Sequence, residues 1–344
     1  MLNSVSCKNE ESDDQSTPFS FFISPQLLCT RLLHFLPSPH LPTLYLSKFV
    51  SLSNFKASLT GMLFSPQFLS FLLDTRSAFD TIVQNQRRWV MIQKHAIPIL
   101  EFDDNPQAVI MPNHEGLDLH LPKKCVYAFL GEEIDRYARE VGANCVGEFV
   151  SATKTYPVYV MSYKGKEICL VQAPVGSAPA AQFMDWLIGY GVEQIISTGT
   201  CGVLADIEEN AFLVPVRALR DEGASYHYVA PSRYMEMQPE AITAIERVLE
   251  ARGIPYEEVM TWSTDGFYRE TAEKVAYRKE EGCAVVEMEC SALAAVAQLR
   301  GVLWGELLFT ADSLADLDQY DSRDWGSEAF EKALELCLEI AFQI

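Results

Sequence analysis

From about residue 121 onward, the sequence predicts one α/β domain with helices on both faces of a mixed sheet. Short apolar runs rich in Val and Ile alternate there with helical stretches, and this alternation is typical of strands covered by helices. The chain has 344 residues, of which 49% are hydrophobic, so it can bury a substantial core. The dipeptide Lys164-Gly165 separates two apolar runs and predicts a β-hairpin with a two-residue turn.

The individual elements follow from these runs. Strands are expected at 125–131, 156–163, 167–175, 194–200, 211–219, 256–263, 283–288 and 304–311. Helices are expected at 132–141, 177–190, 238–252, 289–300 and 326–342. Ser327 is a candidate N-cap for the last helix, which carries a regularly spaced glutamate face. No internal repeat is visible.

Residues 1–90 are interpreted as an extension that does not belong to the domain at 91–344, and they are expected to be poorly ordered. Residues 15–73 contain no acid, and Pro, Arg, His and Ser interrupt every apolar run well before the roughly 20 residues that span a bilayer. Three explanations stay open: an organelle-targeting segment, a signal peptide, or a start codon placed too early. The last is favoured, with Met62 or Met91 as the true start.

The charge distribution bears on the possible partners. The net charge is −20, and residues 1–73 contain four basic residues and four acids, so the whole excess of negative charge falls on residues 74–344. A domain this acidic repels phosphate backbones and anionic membrane surfaces. The sequence therefore argues against nucleic acid and against a membrane as partners.

Nine cysteines are present, with no CxxC pair and no histidine cluster beside them, which argues against a zinc site or any other metal. Several lie in apolar runs, such as Cys125 in "CVYAFLG" and Cys169 in "EICLVQ". They are interpreted as buried free thiols in a reducing compartment, and a cytoplasmic location is expected.

Two predicted strands end in glycine-containing turns. In "IISTGTCGVL" (195–204), Gly199 and Gly202 stand beside the hydroxyls of Thr198 and Thr200, and such a turn can hold an anion or a sugar. In "AFLGEE", Gly131 likewise follows a strand and precedes a helix. A tight structural turn is the alternative explanation at both places.

Two further strands end in acids. Glu287 and Glu289 flank Met288, so their carboxylates could accept hydrogen bonds from ribose hydroxyls while the thioether contacts the sugar face. The helix macrodipole would explain Glu289 but not Glu287, which still belongs to the strand. Asp312 ends the strand in "LLFTADSL", where open α/β sheets bind ligands. Burial would raise the pKa of Asp312 and suit it to donate a proton, although a helix N-cap is the alternative.

Aromatic residues lie in two loop-like segments. Phe267 in "TWSTDGFYRET", with Arg269 close by, could stack on a heterocycle. A core aromatic is the alternative for Phe267. His227 in "DEGASYHY" is more typical of a structural histidine.

Taken together, these motifs resemble the nucleoside phosphorylase family, which includes uridine phosphorylase, bacterial hexameric purine nucleoside phosphorylase and related nucleosidases. The matching pieces run in order over about residues 121–344: "AFLGEE", "STGTCGVL", "DEGASYHY", "STDGFYRE", "VVEMECSALAAVA" and "LFTADSL". The resemblance implies a three-layer α/β/α sandwich with a central mixed sheet, assembled as a homo-oligomer between dimer and hexamer.

The resemblance also implies an activity, cleavage of the N-glycosidic bond of a nucleoside by phosphate. The motif set is nearest to uridine phosphorylase, and phosphate would be a co-substrate with no other cofactor. Two alternatives stay open: a nucleosidase that uses water, and a nucleoside-binding protein that has lost catalysis.

By position, the resemblance implies that residues 287–289 hold the ribose, with Glu289 on its hydroxyls. Phe267 would lie against the base, with Arg269 nearby. Asp312 resembles the acid that protonates the base in the purine enzymes and nucleosidases. Asp312 and Glu289 are therefore the expected catalytic residues.

The resemblance implies a phosphate or water site lined by Gly131, Gly199 and Thr200. Lys154 stands where a neighbouring subunit of the family lends an arginine. His114, in "MPNHEGL", is near the spacing of a histidine that reaches into the neighbouring subunit's site.

The sequence departs from the phosphorylases in its phosphate and base contacts. Ser197 stands where these enzymes have an arginine before the turn, which the hydrolytic members also lack. Asp135 occupies a second arginine position, with Arg136 displaced by one. Thr271 and Glu273 stand where uridine phosphorylases recognise uracil with Gln and Arg.

Overall fold

The computed structural model describes residues 92–344. The prediction that residues 1–90 form a poorly ordered extension lies outside the described residues, as do Cys7 and Cys29. Within the described part, ten strands and six helices of at least two turns form one unit.

The strands are β1 (Lys124–Ala128), β2 (Asn144–Val150), β3 (Thr155–Tyr163), β4 (Lys166–Gln172), β5 (Gln194–Val203), β6 (Phe212–Asp221), β7 (Tyr234–Glu236), β8 (Tyr256–Thr264), β9 (Cys283–Glu287) and β10 (Leu303–Ser313). The helices are α1 (Glu133–Glu140), α2 (Ser177–Gly189), α3 (Pro239–Arg252), α4 (Ala272–Glu280), α5 (Cys290–Arg300) and α6 (Phe330–Gln343).

The central sheet is buried on both faces, which makes its inner strands apolar throughout rather than alternating. On β1, Cys125 and Tyr127 pack into a core shared with α2 and α5. Their neighbours Val126 and Ala128 point the other way, into a core shared with α1, α3 and α6. Successive strand side chains point to opposite faces, so the two cores form the two sides of a three-layer α/β/α sandwich, as the sequence predicts.

The sheet is mixed, and part of it closes on itself. β1 pairs in parallel with β4 and β5, while β3 pairs antiparallel with β2 and β4. β5 pairs with β10 along most of its length and with β9 at its carboxyl end. The pairings β10–β6, β6–β8 and β8–β9 complete a ring with β5. This ring brings the ends of β5, β9 and β10 to one place.

The predicted strands and helices are all present, with ends that differ by a few residues. The hairpin between β3 and β4 is confirmed, since Lys164 and Gly165 both have positive φ, at 49° and 82°. β2, β7 and α4 are not predicted by the sequence patterns. β2 is a largely exposed edge strand, and α4 is short and mostly polar, so neither carries a strong apolar period.

The predicted N-cap of the last helix is wrong. Ser327 lies in a 3-10 turn that precedes α6, and its hydroxyl donates a hydrogen bond to Asp324 Oδ2 at 2.5 Å. Ala329 occupies the N-cap position instead.

The cysteines of the described chain are free thiols, and all except Cys145 are buried. This agrees with their interpretation as small core residues; the cytoplasmic location inferred from them stays a prediction. Over residues 92–344, no helix combines the length and apolarity that a bilayer crossing needs.

Candidate active site

A cavity of about 200 Å³ lies at the carboxyl ends of β5, β9 and β10, beside the segment that follows β8. Most of the residues that the sequence predicts for the site line this one space: Gly199, Thr200, Phe267, Glu287, Met288, Glu289 and Asp312. The remaining wall consists of Phe129, Val175, Cys201, Gly202, Glu270, Val286, Glu306, Leu308 and Trp325.

Two glycines of β5 allow its neighbours to approach closely. A Cβ on Gly199 would lie 3.1 Å from the Cβ of Phe129. A Cβ on Gly202 would lie 3.2 Å from Asp312 Oδ1 and 3.0 Å from a methyl carbon of Leu314. Glycine at these positions therefore lets side chains from adjacent elements pack against the β5 backbone. Thr198 does not face the cavity, because its hydroxyl donates to Leu307 O at 2.7 Å within the core.

Glu287 is buried and fully hydrogen-bonded by the protein. Its carboxylate accepts hydrogen bonds from the hydroxyls of Thr261 and Ser263, at 3.1 and 2.5 Å, and from the backbone N–H groups of Glu289 and Cys290, both at 2.6 Å. Burial raises the pKa of Glu287, while these hydrogen bonds act in the opposite direction. Glu287 thus satisfies N–H groups at the start of α5.

This geometry reverses one expectation. The helix-start explanation, which was the alternative for Glu289 and did not cover Glu287, applies instead to Glu287, because Glu287 accepts hydrogen bonds from N–H groups at the start of α5. The carboxylate of Glu289 turns instead to a different helix, where it accepts a hydrogen bond from the backbone N–H of Gly176 at the start of α2. Burial, reinforced by the charge of Glu287, raises the pKa of Glu289 to about 8.

Asp312 and Glu270 form a second acidic group in the cavity. Burial raises the pKa of Asp312, although the nearby hydroxyl of Tyr320 opposes the shift. Burial and the nearby charge of Asp312 raise the pKa of Glu270 to about 7. A carboxyl group that keeps its proton near neutral pH can act as a general acid.

The apolar part of the wall includes Phe267, Met288 and Trp325. Phe267 is 42% exposed and packs edge-on against Tyr268, with ring centroids 5.0 Å apart. An aromatic face that remains accessible can stack on a flat ring.

Glu270 and Glu306 are cavity residues that the sequence analysis missed. Glu306 is a single acid within the apolar run "LWGELLFTA". An isolated acid in a predicted central strand is unusual, and this feature could have identified Glu306 as a candidate site residue. Glu270 carried no comparable signal, because it lies in a polar loop where acids are common.

The charged side chains that line the cavity are all acidic. Five carboxyl groups line the cavity, and no Lys or Arg does so among the described residues. Within residues 92–344, no three of these side chains are placed to hold a metal ion. The cavity can therefore stabilise positive charge and donate protons, but it offers no cation to an anionic ligand.

Four predicted site residues lie outside this cavity. Arg269 and Gly131 are exposed and do not line it. His114 lines a separate, larger cavity, and its Nδ1 lies 2.9 Å from Met111 O. Lys154 is exposed, with its Nζ 4.9 Å from the ring centroid of Tyr156. The roles of His114 and Lys154 in a neighbouring subunit, and the homo-oligomer itself, stay predictions.

The residues at the arginine positions have other partners. Ser197 is 0% exposed, and its hydroxyl accepts a hydrogen bond from Trp304 Nε1 at 2.9 Å. Asp135 accepts a hydrogen bond from the hydroxyl of Tyr159 at 2.9 Å. Arg136 is bound to Glu133 on the surface of α1. None of the three lines the cavity.

Known proteins share this fold and sequence pattern. A guanosine phosphorylase of Halorubrum lacusprofundi is 27% identical over 187 residues, which cover 54% of this chain and 77% of the relative. A uridine phosphorylase structure from Vibrio fischeri superposes with a TM-score of 0.55 and 24% identity, covering 68% of this chain and 95% of the other. An AMP nucleosidase structure from Bacteroides thetaiotaomicron gives 0.53 and 23%, with coverages of 64% and 88%.

These two structural likenesses support the fold alone, because both sequence identities are low. The family assignment rests on a family model, described as the phosphorylase superfamily, that matches residues 123–343. This match spans more than half of the chain and contains every element that forms the cavity. The chain therefore belongs to the phosphorylase superfamily.

Proposed function

We propose that this chain cleaves the N-glycosidic bond of a nucleoside and that water accepts the sugar. One observation carries the proposal: five carboxyl groups line a single cavity, with no basic side chain in the described wall. Departure of the base leaves an oxocarbenium-like sugar, and acids placed beside that sugar stabilise its positive charge.

Glu289 and Met288 are assigned to the sugar. Burial and the charge of Glu287 raise the pKa of Glu289 to about 8, so its carboxyl is mostly protonated at neutral pH. Positive charge that develops on the sugar favours the ionised form of a neighbouring carboxyl. The attraction between the carboxylate of Glu289 and the sugar is therefore greatest while the C1′–N bond is breaking. Glu287 is assigned a positioning role, because its oxygens already bind Ser263, Thr261 and the start of α5.

Asp312 is assigned to the leaving base. As the C1′–N bond breaks, its electron pair goes to the base nitrogen, and the carboxyl of Asp312 donates a proton to the base. The oxygen of the water forms the new bond to C1′. The water then releases one proton, which restores the protonated carboxyl or enters the solvent, so that the products are the free base and ribose.

Water is favoured over phosphate as the acceptor. A phosphate anion in the cavity would lie beside several carboxyl groups, and the described wall has no Lys or Arg to bind it. Charged hydrogen bonds contribute about 1.5–3 kcal/mol each, and Ser197, Asp135 and Arg136 are not placed to supply them. Phosphate stays the second candidate. It is supported by the Gly199–Thr200 turn on the wall and by the name of the Halorubrum relative, a guanosine phosphorylase.

A purine nucleoside is the favoured substrate. A protonated acid at the base end suits a purine, which can accept a proton on its ring as it leaves. At the uracil-recognition positions, Thr271 caps α4 by accepting a hydrogen bond from Lys274 N, and Glu273 is exposed in the first turn of that helix. The uridine phosphorylase-like activity expected from the motifs is kept as the alternative.

The test is a product assay on a panel of purine and pyrimidine nucleosides, with and without phosphate. We expect release of purine base and free ribose at a rate that phosphate does not change. Ribose-1-phosphate formation that requires phosphate would establish the second candidate instead. Binding of nucleosides without release of any base would identify a binding protein and reject the enzymatic proposal.

A further inference from the structure

Glu306 lies in the middle of β10 and has no role in the function proposed above. It is 4% exposed and lies opposite Ser197 in the register of β5 and β10. Its side chain shares a face of β10 with that of Leu308, two residues further on, which lines the same cavity. Glu306 therefore forms part of the cavity wall on the strand that also carries Asp312.

One oxygen of Glu306 has no hydrogen-bond partner among residues 92–344. Its Oε2 is one of three fully buried side-chain atoms in the described chain that lack a hydrogen bond, and the other two belong to Asn210 and Arg278. Neither of those residues lines the cavity. A buried, unpartnered carboxyl oxygen is unfavourable, so the position favours a ligand that supplies the missing hydrogen bond.

The surroundings of Glu306 are acidic and apolar. Burial raises the pKa of Glu306 well above its usual range, the charge of Glu287 adds to the shift, and the nearby thiol of Cys290 opposes it. A protonated carboxyl can both donate and accept a hydrogen bond, as water does. An anion placed there would lie beside several acids without a cation to compensate.

A purely structural acid in this protein has different contacts. Glu222 is equally buried, at 5% exposure, yet its oxygens accept hydrogen bonds from Ser225 N and Oγ and from Ser291 Oγ. Glu306 lacks this full set of partners and sits between apolar neighbours, where a leucine would fill the space without the penalty. Packing alone does not explain a glutamate at this position.

We propose that Glu306 selects the acceptor of the reaction: its carboxyl group binds the water that receives the sugar and keeps phosphate out of that subsite. This inference rests on the proposed function, because it assigns one residue to the choice between water and phosphate. It adds a residue that acts on the acceptor rather than on the ribose or the base.

The test compares the wild type with Glu306→Gln and Glu306→Leu. The matched control is Glu339→Gln, which removes a buried carboxyl of α6 that binds Lys164 and Tyr163 outside the cavity. Two quantities are measured: the ratio of ribose to ribose-1-phosphate from a purine nucleoside, and the shift of the melting temperature caused by inorganic phosphate. Chloride at equal ionic strength is the reference.

Glu306→Leu is expected to lose about tenfold in the rate of hydrolysis, the effect of one hydrogen bond to the acceptor. Glu306→Gln should lose less, because its amide can still donate and accept a hydrogen bond. Both variants are also expected to bind phosphate more tightly than the wild type, seen as a larger melting shift, and to form ribose-1-phosphate when phosphate is present. Glu339→Gln should behave as the wild type in both respects, even if it melts at a lower temperature.

The outcomes separate the two proposals. If the wild type releases ribose and the variants keep its rate and product ratio, the role of Glu306 is rejected while the proposed function stands. If the wild type forms ribose-1-phosphate, phosphate exclusion is rejected. If the wild type releases no base, the proposed function fails and the acceptor role of Glu306 fails with it. The phosphate melting shift then tests only whether Glu306 keeps phosphate out, and equal shifts in wild type and variants reject that part as well.

Discussion

Two groups of acids in this protein have opposite titration behaviour. Beside α4, Asp221 accepts hydrogen bonds from Trp262 Nε1 at 3.0 Å and Arg278 Nη2 at 3.3 Å, and it pairs with Lys274 Nζ at 2.6 Å. Burial opposes ionisation of Asp221, but the hydrogen bond and charge of Lys274 outweigh it, so its pKa is lowered. Glu281 behaves in the same way beside its arginine partners.

Within residues 92–344, the cavity acids form no ion pair of this kind. The pKa values of Glu270, Glu287, Glu289, Glu306 and Asp312 are all raised, with burial as the main cause. The two groups consist of the same residue types in one domain, and they differ in two ways: the cavity acids are more deeply buried, and Asp221 and Glu281 are paired with cations. Acids paired with cations stabilise the fold, whereas unpaired acids in a cavity are available for chemistry. The predictions below test this division.

The largest effect is expected from Asp312→Asn. Asparagine keeps the shape of the side chain but cannot act as a carboxylic acid, so kcat for base release should fall about 10²–10⁴-fold. The measurement is steady-state kinetics on the best purine nucleoside, with circular dichroism as a check on folding. Asp318→Asn, in the exposed loop after β10, is the control and should keep the wild-type rate. An Asp312→Asn enzyme of nearly normal kcat would remove Asp312 from the mechanism.

A stability effect is expected from the paired group. Asp221→Asn leaves Lys274 and Arg278 without their carboxylate, and we expect the free energy of unfolding to fall by about 1–3 kcal/mol. Urea denaturation measures this, and kcat per folded molecule should not change. Glu193→Gln, which breaks the exposed pair with Lys123, should cost less than about 1 kcal/mol. If Asp221→Asn lost activity while its free energy of unfolding stayed the same, the distinction between stabilising acids paired with cations and reactive acids in the cavity would be wrong.

A pH effect should distinguish Glu289. Its pKa is about 8 in the folded protein and about 4.3 in an unfolded chain, so the folded state holds the extra proton between these values. Its contribution to stability is fully present below about pH 4 and is lost as the pH rises towards 8, at up to about 1.4 kcal/mol per pH unit. In Glu289→Gln, the part of the fall in stability between about pH 4 and 8 that comes from this carboxyl should disappear.

The measurement for Glu289 is the free energy of unfolding between pH 5 and 8, compared between wild type and Glu289→Gln. Asp221→Asn is the matched contrast. Because the pKa of Asp221 is lowered, its stabilising contribution is lost as the pH falls below the usual aspartate range, not as it rises. Parallel pH profiles for the wild type and Glu289→Gln would mean that Glu289 is already ionised in the folded protein.

The smallest effect is expected from the apolar wall. Phe267→Ala removes a ring that is assigned to the base, and KM should rise about two- to tenfold with little change in kcat, as one aromatic contact contributes about 0.5–1.5 kcal/mol. Tyr277→Ala, an exposed aromatic of α4 outside the cavity, should leave KM unchanged. An unaltered KM in Phe267→Ala would place the base elsewhere.

Sequence patterns predicted the fold well where burial was complete. The apolar runs of β1, β5 and β10 identified central strands, because a strand covered on both faces contains few polar residues. The edge strand β2 and the polar helix α4 escaped prediction, since neither buries a continuous apolar face. For the candidate site, Gly199, Glu287, Glu289 and Asp312 could be chosen because each interrupts or ends an apolar run.

What the sequence could not provide was the partner of each charged group. It did not reveal that the carboxylate of Glu289 accepts a hydrogen bond at the start of α2, 113 residues away in the chain. It also did not reveal that the hydroxyl of Ser197 accepts a hydrogen bond from Trp304, 107 residues away. It also gave no reason to separate Asp221 from Asp312, which both lie at the ends of strands.

The sequence by itself determined which segments are buried. The apolar composition of a segment and the spacing of its apolar residues are local properties, and they stay the same in any compact arrangement of the chain. It also placed acids and glycines at the ends of those segments. The tertiary structure decided which acids pair with a cation and which line the cavity without one, because the ring of β5, β10, β6, β8 and β9 brings distant strand ends together. The pKa of a carboxyl depends on those neighbours and on burial, and both are properties of the folded chain.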